Sequence, residues 1–301
     1  MFFKITETEI GIQGLYEVTR IVQLADLHYS SKWSSYHLEL LYEKIMRLSP
    51  RYICLVGDTI DRISSLLDEK ICKQLEDWLC QLAVVPTLIS LGSHDFKQQG
   101  YDSQMALDFW LNLASKSPNI HILHNATYED SNLQFLGYTQ PASYYEAPRE
   151  NVAIMLEDLA LVELSSQLKS DKPNIGLIHS PLWLNEEKLW PLLQGYQLIL
   201  AGHMHNGMVP PGLDELWSGH MGLIEPNKKI LAKNARGLLT VSQSNNEDSW
   251  INITGGVVKI AASAPRILQP CNVIYPASID QLNLLPAEKN KIYSRHYHYE
   301  R

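Results

Sequence analysis

The amino-acid sequence predicts an α/β fold built as a layered sandwich. Short apolar runs alternate with longer amphipathic runs over residues 21–200, which is the order expected of strands joined by helices. Histidine and aspartate residues cluster directly after several of the short runs, where parallel strands would present them at one edge of a sheet. A length of 301 residues with 45% hydrophobic content is sufficient to bury an extensive core.

The individual elements follow from the periodicity of each run. Short runs rich in Ile, Val and Leu predict buried strands, and apolar residues at helical spacing predict amphipathic helices. The predicted strands cover residues 21–25, 52–56, 87–91, 120–123, 133–138, 175–178 and 197–200. The predicted helices cover residues 36–48, 66–82, 106–114, 151–168 and 186–193. This alternation supports the α/β layered arrangement.

The last third of the chain has a different character. Residues 206–226 are rich in Gly and Pro and predict a long loop. Short strands are predicted at 251–254, 257–261 and 272–275. The polar and aromatic tail at 293–299 is expected to be a mobile terminus rather than a third metal site. With no internal repeat or linker, residues 1–301 are expected to form a single domain.

Composition and charge exclude several classes of protein. The net charge of −8 disfavours a nuclease or other nucleic-acid-binding protein, which needs a basic surface. The four cysteines lack a Cys-x-x-Cys pair, which argues against a zinc ribbon or an iron–sulfur cluster and for reduced thiols. The apolar runs are too short to cross a bilayer. The N-terminus has no basic start followed by an apolar stretch, so we expect a cytoplasmic protein.

The most informative feature is a set of five polar blocks, each directly after a predicted strand. The blocks are Asp26-Leu27-His28, Gly57-Asp58-Thr59-Ile60-Asp61, Gly92-Ser93-His94-Asp95, His179 and Gly202-His203-Met204-His205. A single block is more typical of a turn or a helix cap. Five blocks in succession, each at a strand exit, instead predict one shared site, because the carboxyl ends of parallel strands meet at one edge.

The chemistry of these blocks predicts a metal centre. Imidazole and carboxylate together favour first-row transition metals such as Mn, Fe or Zn. A carboxylate such as Asp58 has two oxygens and can bridge two ions. Two ions about 3.5–4 Å apart can clamp a phosphoryl group and lower the pKa of a shared water toward roughly 7, which makes that water a nucleophile. Bound metal would also supply the positive charge that the acidic chain lacks for a phosphate substrate.

The same five blocks resemble those of the calcineurin-like metallophosphoesterases, and the last third is similar to the closing strands of the bacterial single-domain members. The blocks extend from residue 26 to residue 205. The resemblance implies a four-layer α-β-β-α sandwich with two mixed sheets and a binuclear metal site at the carboxyl edge of the strands. It also implies two divalent transition-metal ions and a small phosphate-ester substrate.

The resemblance implies a role for each matched residue. Asp26, His28, Asp58 and His205 would hold the first metal ion. Asp58 would bridge to the second ion, which His179 and His203 would also bind. His94 is similar to the family's active-site histidine, which stabilises the substrate phosphate or protonates the leaving oxygen. Asp61 and Asp95 resemble residues that complete the catalytic site by orienting the ligands.

Ser93 departs from the family pattern, which has an asparagine ligand of the second metal at this position. A serine hydroxyl is shorter than an amide and is a poorer neutral ligand. The remaining three residues would still form a site completed by water, as in many catalytic zinc sites. Two hypotheses follow: a hydrolase of phosphodiesters, pyrophosphate-linked molecules or phosphomonoesters, and a catalytically weakened metal-binding scaffold.

Aromatic residues near the blocks have two possible roles. Tyr29, Trp33 and Tyr36 follow the first block, and Trp217 and His220 follow the last. They can line a pocket for a nucleobase or an acyl chain, or they can pack the loops onto the body of the protein, which we favour because aromatics bury a large area. The sequence does not predict the oligomeric state.

Overall fold

The computed structural model describes residues 2–97, 100–146, 151–213, 219–224, 230–242 and 248–300. Within these residues the strands are β1 Phe3–Gln13, β2 Thr19–Leu24, β3 Tyr52–Val56, β4 Thr87–Ser90, β5 Ile120–Ile122, β6 Ala126–Glu129, β7 Gln134–Tyr138, β8 Asn174–Ile178, β9 Leu198–Ala201, β10 Gly237–Ser242, β11 Asp248–Ile253, β12 Ala277–Ala287 and β13 Lys291–Glu300. The α-helices are α1 Ser35–Arg47, α2 Glu69–Leu82, α3 Ser93–Phe96, α4 Ser103–Ala114, α5 Val152–Leu156, α6 Leu159–Ser166, α7 Trp190–Leu193 and α8 Cys271–Ile274. The 3₁₀ turns are Ile63–Leu67, Ala142–Tyr145, Leu182–Asn185, Glu187–Leu189, His205–Met208 and Arg266–Leu268.

The strands form two mixed sheets. The first has the order β13-β1-β12-β2-β3-β4-β5, with β2 to β5 parallel. The second has the order β10-β11-β9-β8-β7-β6, with β7, β8, β9 and β11 parallel. The antiparallel pairs are β13–β1 and β12–β2 in the first sheet and β10–β11 and β6–β7 in the second, so each described sheet contains a block of four adjacent parallel strands.

Alternation of side chains along the central strands separates the core into three layers. On β3, Ile53 and Leu55 pack in a cluster with apolar residues of α1, α2 and α4. Tyr52, Cys54 and Val56 lie instead in the cluster shared by the two sheets. A third cluster packs α5, α6 and α7 onto the far face of the second sheet. Because successive strand residues point to opposite faces, the four-layer α-β-β-α arrangement predicted from the sequence is confirmed.

Two predicted helices differ from the structure because aspartate side chains cap helices inside them. The predicted helix 66–82 begins only at Glu69, where the Asp68 carboxylate accepts hydrogen bonds from the backbone N–H groups of Lys70 and Ile71. The predicted helix 151–168 divides into α5 and α6, because Asp158 caps the second helix by accepting from the N–H of Ala160. In both cases the N-cap satisfies backbone donors that a continuous helix would satisfy internally.

Several predictions for the last third were wrong. Residues 272–275 lie in or directly after α8 rather than in a strand, and residues 257–261 belong to no described strand. The tail at 293–299 lies within β13, which pairs antiparallel with β1, rather than forming a mobile terminus. Tertiary contacts hold this tail in place: the Lys4 ammonium lies 4.0 Å from the centre of the Tyr297 ring, and Lys44 forms an ion pair with Glu300 at 2.6 Å.

The cysteines agree with the expectation of unpaired thiols. The thiol of Cys54 is buried between the sheets, and the four cysteines are unpaired. Burial raises the pKa of the Cys54 thiol far above its ordinary value. Among the described residues, no helix combines the length and the apolar character that crossing a membrane would require.

Candidate metal centre

The five polar blocks meet at one edge of the sandwich. Three blocks follow parallel strands of the first sheet, β2, β3 and β4, and two follow β8 and β9 of the second sheet. The loops after these strands are bonded to one another: the N–H of Asp26 donates to Gly57 O at 3.0 Å, and the N–H of Gly202 donates to His179 O at 2.9 Å. The predicted convergence of the five strand ends is therefore confirmed.

The loops that carry the blocks have an unusual backbone conformation. Positive φ angles occur at Asp26 (54°), His28 (43°), Asp58 (52°), His203 (68°) and His205 (47°). Non-glycine residues seldom adopt this left-handed conformation, and the strain is typical of functional sites. Here it turns the backbone sharply at the ends of β2, β3 and β9, so that residues two positions apart in the first and last blocks direct their side chains into the same region.

One group of side chains consists of Asp26, His28 and His205, whose ligand atoms lie within 4.8 Å of one another. Asp26 is fully buried, and the Nε2 atom of His205 lies 3.8 Å from its Oδ1 atom. The rings of His28 and His205 are stacked with their centres 5.5 Å apart. Three of the four residues predicted for the first metal ion therefore lie close enough to share a cation.

A second group consists of Asp58, His179 and His203, again with ligand atoms within 4.8 Å of one another. The Nε2 atom of His179 lies 3.1 Å from Asp58 Oδ2 and 3.9 Å from Asp26 Oδ1, so it lies between the aspartates of the two groups. The other Asp58 oxygen, Oδ1, accepts a hydrogen bond from the N–H of His94 at 2.9 Å. The two groups are thus immediate neighbours, as a binuclear centre requires.

Backbone carbonyls determine which nitrogen each histidine presents. The Nδ1 atoms of His179, His205 and His94 lie 2.8, 2.9 and 2.6 Å from the carbonyl oxygens of Val56, Val258 and Asp61, respectively. A carbonyl oxygen can only accept, so each Nδ1 must carry the proton. Neutral His179 and His205 then present an unprotonated Nε2 to the site, the arrangement usual for metal-bound histidines.

The buried nitrogens of the site fit a metal ion. Neither ring nitrogen of His28 has a hydrogen-bond partner among the described residues, although both are buried. Burying an unsatisfied polar nitrogen is costly, and native structures seldom contain one without a reason. Imidazole nitrogens facing buried carboxylates are a donor set suited to Mn, Fe or Zn, so the residues present fit a transition-metal centre.

Burial and mutual charge strongly perturb the titration of the site. Burial alone would raise the pKa of Asp58, but the charges of His179 and His94 outweigh it and hold that pKa well below its usual range. Burial alone would lower the pKa of His179, but Asp58 and then Asp26 raise it to about 10. Burial, reinforced by the charge of His94, lowers the pKa of His28 well below its ordinary value. In the absence of metal, a proton on His179 thus offsets the buried carboxylates.

The third block approaches Asp58 very closely. A Cβ atom on Gly92 would lie 2.3 Å from Asp58 Oδ1, so a larger residue would clash with this carboxylate. Ser93 is the first residue of α3 and lies between Gly92 and His94, both of which adjoin Asp58. The ring of His94 is 4.6 Å from that of His28. The structure therefore places the third block beside both groups of candidate ligands.

Asp95 and Asp61 hold loops of the site together. The buried Asp95 carboxylate accepts hydrogen bonds from the N–H groups of Gly92 at 2.8 Å and Ile60 at 3.0 Å, and so joins the second block to the third. Burial and the charge of Asp58 raise the pKa of Asp95 to about 7. Asp61 accepts through its backbone carbonyl from His94, and its Oδ1 atom lies 4.0 Å from His28 Nδ1. Both aspartates thus position neighbouring groups.

Sequence reasoning missed a sixth segment at the site, which follows β11. The N–H of Val258 donates to Asp26 O at 2.9 Å, and the carbonyl of Val258 orients His205. A Cβ atom on Gly256, whose φ is 75°, would lie 2.9 Å from Asp26 Oδ2. The Gly255-Gly256 pair directly after the apolar run at 251–254 was the available signal, since the recognised blocks also follow strands. Tyr145 was also missed, and its ring lies 5.9 Å from that of His203.

The aromatic residues considered from the sequence lie in different surroundings. Tyr29 is buried in the core, as packing of the loops predicted, whereas Tyr36 is exposed. Trp33 packs against the core and also lines a cavity beside His28. His220 lies in a different, polar cleft, where its ring pairs with the carbonyl of Arg236. Trp217 lies outside the described residues.

Comparisons with known proteins agree with this geometry. The family model described as calcineurin-like phosphoesterase matches residues 19–207. An uncharacterised metallophosphoesterase of Campylobacter jejuni is 26% identical over 208 residues, which are 69% of this chain and 50% of that protein. The chain thus spans about half the length of this curated relative.

Two solved structures also resemble the chain. A dimetal phosphatase from Danio rerio has a TM-score of 0.49 and 14% identity, with 81% of this chain and 90% of that one covered. The protein TT1561 of Thermus thermophilus has a TM-score of 0.47 and 15% identity, with coverage of 79% and 90%. The family model covers all five polar blocks and more than half of the sequence, and it ends before the sixth segment, which follows β11. The chain therefore belongs to the calcineurin-like phosphoesterase family.

Proposed function

We propose that this protein is a metal-dependent hydrolase of phosphoric esters that uses two divalent transition-metal ions. The observation that supports this most strongly is the pairing of two adjacent groups, Asp26/His28/His205 and Asp58/His179/His203, each with its ligand atoms within 4.8 Å. When bound, the ions would polarise phosphoryl oxygens and activate a water molecule for attack on phosphorus. Membership of the phosphoesterase family supports the same reaction class.

The proposed ligands divide between two sites. Asp26, His28 and His205 would hold the first ion, and His179 and His203 the second. We propose that Asp58 serves both, because one of its oxygens faces His179 and the other lies on the side of His94. Ser93 is the proposed remaining contribution to the second site. Mn, Fe and Zn all suit this donor set.

His94 is the residue proposed to act on the substrate. Its Nδ1–H is engaged by the carbonyl of Asp61, which leaves Nε2 as the nitrogen that can contact a phosphoryl or leaving-group oxygen. The charges of Asp58 and Asp61, together with the hydrogen bond to Asp61, raise its pKa despite the opposing effect of burial. A protonated imidazole in this position would donate a proton to the leaving oxygen, a step that contributes about 10²–10⁴-fold to rate. Asp61 and Asp95 would keep His94 and the neighbouring loops in position.

Phosphodiesters and pyrophosphate-linked molecules are the proposed substrates in preference to monoesters. Within the described residues, the segments between the five blocks form strands and helices of the sandwich, and none of them forms a separate domain over the site. A site left open in this way can accept a phosphorus atom that carries organic groups on both sides. We also propose that residues 1–301 form one domain, because the two sheets share a core.

A turnover assay with metal analysis tests the proposal. The purified protein, supplied with Mn, is offered an aryl phosphodiester and the matching aryl phosphomonoester, and bound metal is counted by elemental analysis. We expect hydrolysis of both, with a higher kcat/KM for the diester, and up to two metal ions per chain. Absence of metal would refute the proposal. Metal without turnover would instead favour the alternative, a weakened scaffold in which Ser93 marks the loss of activity. The expected cytoplasmic location stays a prediction.

A further inference from the structure

A large apolar cavity lies directly beside the proposed metal centre. Its volume is about 700 Å³, within the range of roughly 300–1,000 Å³ that binding sites for small organic molecules occupy. Its walls include Phe2, Trp33, Val257, Ile260, Val273 and Tyr275. His28, one of the proposed metal ligands, also lines it. A phosphate bound at the metal centre would therefore have one of its organic substituents next to this cavity.

Three of the polar side chains in the walls are bonded to the protein itself, whereas the buried Ser30 hydroxyl has no hydrogen-bond partner among the described residues. The Asn272 amide bonds to the backbone of the 259–260 segment through both its oxygen and its nitrogen. The Gln269 amide nitrogen donates to the carbonyls of Ala261 and Ala264. The Tyr275 hydroxyl donates to the carbonyl of Met208 at 2.9 Å. Because these groups are engaged, the cavity offers mainly hydrocarbon surface, which suits an alkyl or acyl chain better than a nucleobase with its hydrogen-bonding edges.

Exposed aliphatic residues continue this surface beyond the cavity. Ile267 is 85% exposed and Val273 is 80% exposed, and Leu268 and Ile274 beside them are also exposed. Val273 belongs both to this group and to the cavity wall. Clustered exposed apolar residues mark a binding surface more often than isolated ones do. Lys32, also in the wall, adds positive charge that is complementary to a phosphate headgroup.

We propose that the cavity binds the hydrocarbon chain of an amphiphilic phosphodiester whose phosphate is held at the metal centre. This substrate class rests on the proposed hydrolase function and makes it more specific. The hydrocarbon chain of the substrate would lie along Trp33, Val257 and Ile260 and would leave the cavity past Val273. Its burial, rather than recognition of a polar headgroup, would then supply most of the substrate affinity.

A chain-length series tests this directly. The substrates are p-nitrophenyl methyl, butyl and octyl phosphodiesters, which share one leaving group, assayed with Mn below their aggregation limits. Each methylene that becomes buried contributes about 0.8 kcal/mol, or up to about fourfold in binding. Allowing for partial burial, kcat/KM is expected to increase about two- to fourfold per methylene, so that the octyl ester exceeds the methyl ester by at least about 100-fold.

Two variants test where the hydrocarbon chain of the substrate binds, and a third variant serves as a control. Val273→Asp introduces charge at the mouth, and Ala262→Phe fills part of the cavity; each should reduce the octyl-to-methyl ratio at least about fivefold. Val18→Asp is the matched control, because Val18 is an exposed valine that precedes β2 at the end opposite the site. This control should keep the wild-type ratio.

The outcomes separate the two proposals. If none of the esters is hydrolysed, the proposed hydrolase function is contradicted. Hydrolysis of the methyl ester with no dependence on chain length would leave that function standing and overturn the cavity assignment. A steep series that neither Val273→Asp nor Ala262→Phe reduces would also overturn it, because the chain would then bind elsewhere.

Discussion

Asp95 offers a sharp test of how the metal centre is held together. Its carboxylate is fully buried and accepts two backbone hydrogen bonds, from Gly92 at 2.8 Å and from Ile60 at 3.0 Å. Asp95→Ala removes both acceptors and leaves two buried N–H groups unsatisfied, each at a cost of about 1–3 kcal/mol. We expect the free energy of unfolding to fall by about 3–5 kcal/mol, which corresponds to a decrease in Tm on the order of 6–10 °C.

The same substitution should also impair function. Asp95 joins the loop that carries Asp58 to the loop that carries His94, and residues that support metal ligands typically contribute about 10–100-fold to metal affinity or activity. Denaturant unfolding of the metal-free protein measures the stability loss, and metal titration with phosphodiester turnover measures the functional loss. Asp95→Asn, which keeps one carbonyl acceptor, should be intermediate in all three measurements.

A control on another aspartate makes the result interpretable. Asp171 is exposed in a turn before β8, and Asp171→Ala should change the free energy of unfolding by less than about 0.5 kcal/mol. An Asp95→Ala protein as stable as this control would refute the structural role assigned to the two hydrogen bonds. A large stability loss with unchanged metal affinity and turnover would show that Asp95 supports the fold but not the centre.

Three further predictions concern the metals and the substrate. Metal titration should find two binding sites of unequal affinity, with the weaker next to Ser93; two equally tight sites would contradict the effect assigned to this serine. Asp58→Ala should remove both metals and abolish turnover, whereas His94→Ala should keep the metals and lower kcat about 10²–10⁴-fold; loss of metal from the His94 variant would show that it is a ligand. Ser93→Asn should tighten the second site and raise turnover most at low Mn, because occupancy then limits the rate; an unchanged rate at every Mn concentration would mean that Ser93 serves the site as it is.

Much of the fold could be predicted because the central strands carry a strong local signal. Runs such as residues 52–56 and 175–178 are short, apolar and bounded by polar or turn residues, and they form strands in the structure. Strand β13, at one edge of the first sheet, carries no such signal. Strand β13 reads as polar and aromatic, and it is a strand because it pairs with β1 on one side. Pairing between residues nearly 300 positions apart has no local signature in a single sequence.

The sequence by itself determined which chemistry the site contains, because the side chains of five blocks and their positions after strands can be read directly. Tertiary structure decided how these side chains are arranged. The carbonyls of Val56 and Val258, from distant segments of the chain, select the nitrogens that His179 and His205 present. Left-handed turns at Asp26 and elsewhere bring ligands of one block together. The apolar cavity beside His28 likewise exists only because residues 257–275 fold back against the first block. These features depend on contacts between distant segments, which packing of the two sheets creates and local sequence patterns do not encode.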